Sequence, residues 1–101
     1  MTYRVDFSPA SEGDIEGIYD YIAEESPQRA LSFVLEIRQR CERLVDAPKV
    51  GTLRTDIAPN LRVIGFRRRV ATGFQVTGDT VRIVRILYGG RDLQAALGEA
   101  E

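Results

Sequence analysis

Apolar residues recur along the chain with two periods, and the switches between them mark its elements. Tyr3, Val5 and Phe7 alternate with Arg4 and Asp6, which predicts a short first strand with one apolar face. Ile15, Ile18, Tyr19 and Ile22 then follow at helical spacing. Ser8 or Ser11 can cap that helix, Pro9 suits its first turn, and Glu12 and Asp14 complement the positive end of its dipole. Its acids read mainly as a solvated face. A second helix starts at Ser26-Pro27, and Ala30, Phe33, Val34, Ile37, Cys41, Leu44 and Val45 continue its stripe until Pro48. The two segments predict an antiparallel helical hairpin.

From Asp46 to Asn60 the chain carries Pro48, Gly51 and Pro59 and no clear period, so a long surface connection is expected there. Strand patterns resume at Leu61 to Ile64, Val70 to Val76 and Val81 to Leu87, with Thr77-Gly78-Asp79-Thr80 as a hairpin turn. Strict alternation puts Arg85 on the face of Val81 and Ile83, and Arg82 on the face of Val84 and Ile86. Leu93 to Leu97 can add a short C-terminal helix. This order predicts an α+β domain with the helical hairpin over one face of a small sheet.

Composition narrows the class. A chain of 101 residues, 44% hydrophobic and 29% charged, supports one small core and not two, so a single domain over residues 1–101 is expected. The sequence has no apolar run of membrane-spanning length and no signal-like start, which predicts a cytoplasmic protein. The lone Cys41 excludes an internal disulfide, and its place on the second apolar stripe reads as an inert core thiol.

A net charge of -1 conceals a strong asymmetry. Residues 1–28 hold seven acids and one arginine, whereas residues 29–91 hold thirteen basic residues, twelve of them arginine, against five acids. Such a moderate positive field permits an acidic protein partner and argues weakly for phosphate-backbone binding. Arginine in preference to lysine favours planar, bidentate or stacked contacts.

There is no histidine and no tryptophan, and the single cysteine leaves no zinc or haem ligand set. Ser-His-Asp and Cys-His machinery is impossible within this chain, and Gly89-Gly90 lacks the wider spacing of a phosphate loop. No carboxylate pair stands out by spacing for acid/base work.

Val84-Arg85-Ile86-Leu87-Tyr88-Gly89-Gly90-Arg91-Asp92 joins a strand, a turn and flanking arginines in one signature. With it come Phe7-Ser8-Pro9-Ala10, Ile18-Tyr19-Asp20-Tyr21-Ile22-Ala23, Ser26-Pro27 with Ala30 and Phe33, Pro48 with Gly51 and Arg54, Leu61-Arg62 and Phe66-Arg67-Arg68. In this order, over about residues 3 to 92, the chain resembles the ParE branch of the ParE/RelE toxin superfamily. The resemblance implies an N-terminal strand at or near a sheet edge, a helical hairpin and a three-stranded antiparallel meander. It also implies the toxin of a type II toxin–antitoxin module, silenced in a hetero-oligomer by a small ParD-like antitoxin and inhibiting DNA gyrase by binding. No cofactor, metal, catalytic residue, membrane or direct nucleic-acid contact of the toxin alone is expected.

Candidate contacts to antitoxin or target are Arg54, Arg67, Arg68, Arg69, Phe74, Arg82, Arg85, Tyr88 and Arg91. Each has a plainer reading. A basic run such as Arg67-Arg68-Arg69 is often a solvated turn, an arginine among apolar strand neighbours often holds a carboxylate, Arg54 can brace its own loop, and Arg91 can pair with Asp92. Small residues at Ala71 and Gly73, where the family is bulkier, weaken packing or admit close approach of another chain.

Two alternatives stay open. One is a RelE-like ribosome-dependent endoribonuclease using Arg54, Arg82, Arg85 and Tyr88. Tyr88 stands where many relatives carry histidine, the residues after Asp92 include no His, Tyr, Lys or Arg, and a phenol is a poor base at neutral pH. The other is a non-toxic member that binds its antitoxin in an operator-bound repressor complex.

Overall fold

The computed structural model describes residues 2–89. Strand β1 (Arg4–Phe7) leads into helix α1 (Pro9–Ala23), followed by helix α2 (Pro27–Glu42), a short 3-10 turn (Arg43–Val45), and strands β2 (Thr52–Leu53), β3 (Leu61–Phe66), β4 (Val70–Thr77) and β5 (Thr80–Tyr88). Arg91 and the helix expected at Leu93 to Leu97 lie outside the described residues. Both helices start as the sequence dictates. Ser8 and Ser26 sit in extended conformation and accept the Ser11 and Arg29 backbone N–H at 3.0 and 3.2 Å, each with proline next in the first turn.

Among the described residues the strands form one sheet in the order β1-β5-β4-β3-β2. The expected antiparallel meander is present in β3, β4 and β5, and β1 lies at an edge. The sheet as a whole is mixed, because β1 pairs parallel to β5, Val5 opposite Val81 and Phe7 opposite Ile83. The helical hairpin supplies the long crossover that a parallel neighbour needs.

The long connection also contributes a strand. Gly51 has φ +82, and a Cβ there would come within 2.5 Å of the Val63 carbonyl oxygen and 2.6 Å of Ile64 Cγ2. Only glycine allows this approach, which brings Thr52 opposite Val63 and Leu53 opposite Arg62.

The core lies between the hairpin and the sheet. Ile15 and Ile18 of α1, Val34, Ile37 and Cys41 of α2, and Leu44 pack on Ile64, Val70, Phe74, Val81, Ile83 and Ile86. Strict alternation fails in β5. Phe74 faces Ile83 and Gly73 faces Arg85, so Val84 is an extra residue, a β-bulge, and the face assignment reverses beyond it. Val81, Ile83 and Ile86 therefore share one core, contrary to the expected split between Arg85's and Arg82's faces. Gly73, which is buried, stands opposite the bulge, where a strand glycine fits the irregular ladder.

Pairing with β1 ends at Ile83, and the start of α1 takes over from it. The Ser8 N–H donates to the Ile83 carbonyl at 2.9 Å, and its hydroxyl donates to the Val84 carbonyl at 2.8 Å. Six residues on, Asp14 Oδ2 accepts the Ile86 N–H and Arg85 Nε, each at 2.8 Å, while Oδ1 accepts a second Arg85 nitrogen at 2.8 Å. The Asp14 and Arg85 side chains are only 7% and 11% exposed. The acids of α1 are thus not simply a solvated face: Asp14 is enclosed and Glu12 pairs with Arg38.

Removing one member of such an enclosed pair strands the other charge, at about 3–5 kcal/mol. Asp14→Ala is expected to lose that much in urea unfolding. Asp56→Ala, which breaks the open Arg54 pair, is expected to leave the midpoint unchanged.

Candidate partner-binding site

The meeting point of the β3–β4 turn, the end of β5 and the facing ends of α1 and α2 gathers aromatic rings and arginines. Phe66, Phe33, Tyr88 and Tyr21 form a chain of rings with successive centroids 5.8 Å apart. The chain runs from the packed interior to Tyr21, which is 65% exposed. Tilted and edge-on contacts of this kind add about 0.5–1.5 kcal/mol per pair beyond burial and hold the rings in place.

The Phe66–Arg69 turn closes with the Arg69 N–H donating to the Phe66 carbonyl at 3.1 Å. Its central residues, Arg67 and Arg68, have φ of 53° and 60°. A turn with both central residues left-handed matches the twist of the flanking strands and is the usual place of Asn-Gly. An L side chain there costs roughly 1–2 kcal/mol per residue. Arg67 recovers contacts, pairing with Glu36 of α2 at 2.7 Å and lying 5.4 Å over the Phe66 ring. Arg69 donates to the Tyr88 hydroxyl at 3.4 Å.

A half-open cleft of about 470 Å³ lies against this corner, walled by Tyr21, Ile22 and Tyr88 and ringed by Glu25, Arg29, Arg68 and Arg69. A second, of about 350 Å³, adjoins it and reaches Phe33 and Arg67. Among the described residues no cluster of His, Cys, Asp and Glu could hold a metal ion, and no helix is long and apolar enough to cross a membrane.

Of the candidates, Arg67, Arg68, Arg69 and Tyr88 come together here. The others are dispersed. Arg54 makes a two-pronged bond to Asp56 at 2.9 and 2.8 Å near the far edge of the sheet, and that bonding holds the Asp56 carboxyl below the usual carboxylate range. Arg82 pairs with Asp6, Arg85 is engaged by Asp14, and Phe74 is fully buried in the core. Arg29 and Phe33 were not among the expected contacts. A signal for Arg29 existed in the sequence: a cation in the first turn of α2, with no acid beside it, opposes the helix dipole and calls for another reason to be there.

These features define a small mixed-sheet α+β protein with an arginine-rich, aromatic corner. A solved structure described as the chromosomal ParDE TA system from P. aeruginosa includes a chain similar to it at TM-score 0.74 and 25% identity, over 86% of this chain and 96% of that one. Residues 5–93 match the family described as the ParE toxin of the type II toxin-antitoxin system, parDE. The chain belongs to this ParE toxin family. A sequence comparison with curated proteins finds no significant match.

Cys41 adds no nucleophile to the site. Burial pushes its thiol from 9.0 up to about 12. The unfolded chain releases this proton near 9.0 and the folded chain only near 12, so over that window unfolding loses a proton and stability falls as pH rises. The stability gap between the parent and Cys41→Ala is expected to narrow above pH 9.0, by at most about 1.4 kcal/mol per unit, when urea midpoints are compared across pH.

Proposed function

We propose that this chain is a cytoplasmic toxin of the ParE kind that acts by binding, inhibits DNA gyrase, and is neutralised in a hetero-oligomer by a ParD-like antitoxin. The observation that carries the reading is the family match over residues 5–93, supported by the likeness to a chain of a ParDE system. The arginine–aromatic corner is consistent with it, because cations beside exposed rings suit an acidic protein surface better than a buried substrate.

The same geometry weighs against the endoribonuclease alternative. The three arginines that would clamp a phosphate each already hold a carboxylate: Arg54 with Asp56, Arg82 with Asp6, Arg85 with Asp14. Arg54 also lies beyond β2, three strand spacings or roughly 14 Å across the sheet from β5, which carries Arg82, Arg85 and Tyr88. A clamp and a proton donor acting on one ribose need closer placement than that.

Induction of the chain alone is expected to arrest growth, and the purified chain to inhibit ATP-dependent supercoiling by gyrase, with both effects reversed by a ParD-like antitoxin. Growth arrest with gyrase unaffected and mRNA cut at the ribosome would replace this reading with the endoribonuclease. Unimpeded growth would favour the non-toxic, antitoxin-binding member.

A further inference from the structure

The β3–β4 turn contains an unexplained choice of residue. Arg67 and Arg69 have reasons within the fold, the first in Glu36 and Phe66, the second in Tyr88. Arg68 has none. It sits at φ 60°, its side chain is exposed, and among the described residues it makes no hydrogen bond or ion pair. Glycine would occupy this position without strain, so nothing among the described residues calls for the arginine, and its backbone conformation burdens the fold.

What the left-handed backbone does achieve is placement. It keeps the turn tight and leaves Arg68 on the rim of the cleft, with Arg29 also on the rim and the Tyr21 and Tyr88 rings forming the wall. Neither guanidinium is neutralised by a carboxylate among the described residues. Arg69, on the same rim, holds only the Tyr88 hydroxyl, so the available chemistry is planar cations able to take carboxylates, beside aromatic surface able to take an apolar side chain.

We propose that Arg68 is the recognition residue of a docking site for an acidic segment of a protein partner, with Arg29 as the second cation and the Tyr21–Tyr88 wall receiving an apolar residue of that segment. The strained turn is retained because it presents Arg68 to this partner. The inference rests on the reading that the chain works by binding a protein, and names the chemistry of that partner at one site. A nucleic acid fits less well, because Glu25 borders the cleft and residues 1–28, which supply its Tyr21 and Ile22, carry seven acids against one arginine.

The test uses the purified full chain, its Arg68→Gly and Arg68→Lys variants, and Arg40→Gln, which removes an exposed cation that does not line this cleft. The probe is a labelled short peptide of glutamates flanking one leucine, read by fluorescence anisotropy, with single-stranded DNA of equal length as competitor. Arg68→Gly is expected to melt about 4–8 °C higher and to bind the peptide roughly tenfold more weakly. Arg68→Lys, which keeps charge and strain but loses the planar fork, should melt with the parent and bind the peptide more weakly than the parent but more tightly than Arg68→Gly, and Arg40→Gln should match the parent. Undiminished peptide binding by Arg68→Gly, or no binding by the parent, would overturn the recognition role. An unchanged melting temperature in Arg68→Gly would overturn the strain on which it rests. DNA displacing the peptide at equal or lower concentration would overturn the choice of an acidic protein segment. None of these readouts needs a toxic chain, so an absence of growth arrest would count against the proposed function without touching this site.

Discussion

Strand β5 continues for five residues beyond Ile83, where its pairing with β1 stops, and the structure depends on how that open edge is closed. Unpaired backbone groups at a sheet edge must find partners or invite another strand. Here the first two turns of α1 supply them. The Ser8 hydroxyl takes the carbonyl of the bulged Val84, and the Asp14 carboxylate takes the Ile86 N–H together with the Arg85 guanidinium. These bonds fix where α1 crosses the sheet. The three residues joining α1 to α2 then leave α2 little choice of position, so the packing of Ile37, Cys41 and Phe33 on the sheet follows from the same closure.

Arginine is used in three physically different ways. Enclosed by Asp14, Arg85 is part of the framework, and its charge is not available to a visitor. On the surface, Arg54, Arg67 and Arg82 hold single acids in contacts that water and salt screen. Around the aromatic corner, Arg29 and Arg68 remain uncommitted within the described fold. In a chain with a net charge of -1, these two open cations lie where exposed aromatic surface and a cleft also occur.

On the proposed reading, a ParE-family toxin that acts by binding needs a stable platform and a surface left unsatisfied by the fold. Both requirements meet at β5. Its bulged middle is anchored by α1, while Tyr88 near its end packs between Phe33 and Tyr21 and reaches the cleft. The strain at Arg67 and Arg68 sits on the neighbouring turn, outside the hydrophobic core, where it costs stability without disturbing packing.

Much of the fold was legible in the sequence because it rests on local rules. Ser-Pro pairs start both helices, the apolar stripes of α1 and α2 report their buried faces, and Thr77-Gly78-Asp79-Thr80 joins β4 to β5, since capping, helical period and turn chemistry act over a few residues. The arginine run and Tyr88 could be singled out for the same reason, as could the family signature. What sequence alone could not decide were the pairings made across the chain. The two-residue strand β2 depends on Gly51 approaching Val63, the bulge at Val84 reverses the faces of β5, and Asp14 meets Arg85 across 71 residues of chain. Arg29 joins Arg68 only because α2 lies against the β3–β4 turn. Alternation and spacing describe a strand or helix in isolation; which charges become framework and which stay open is settled by burial, and burial exists only once the elements have packed.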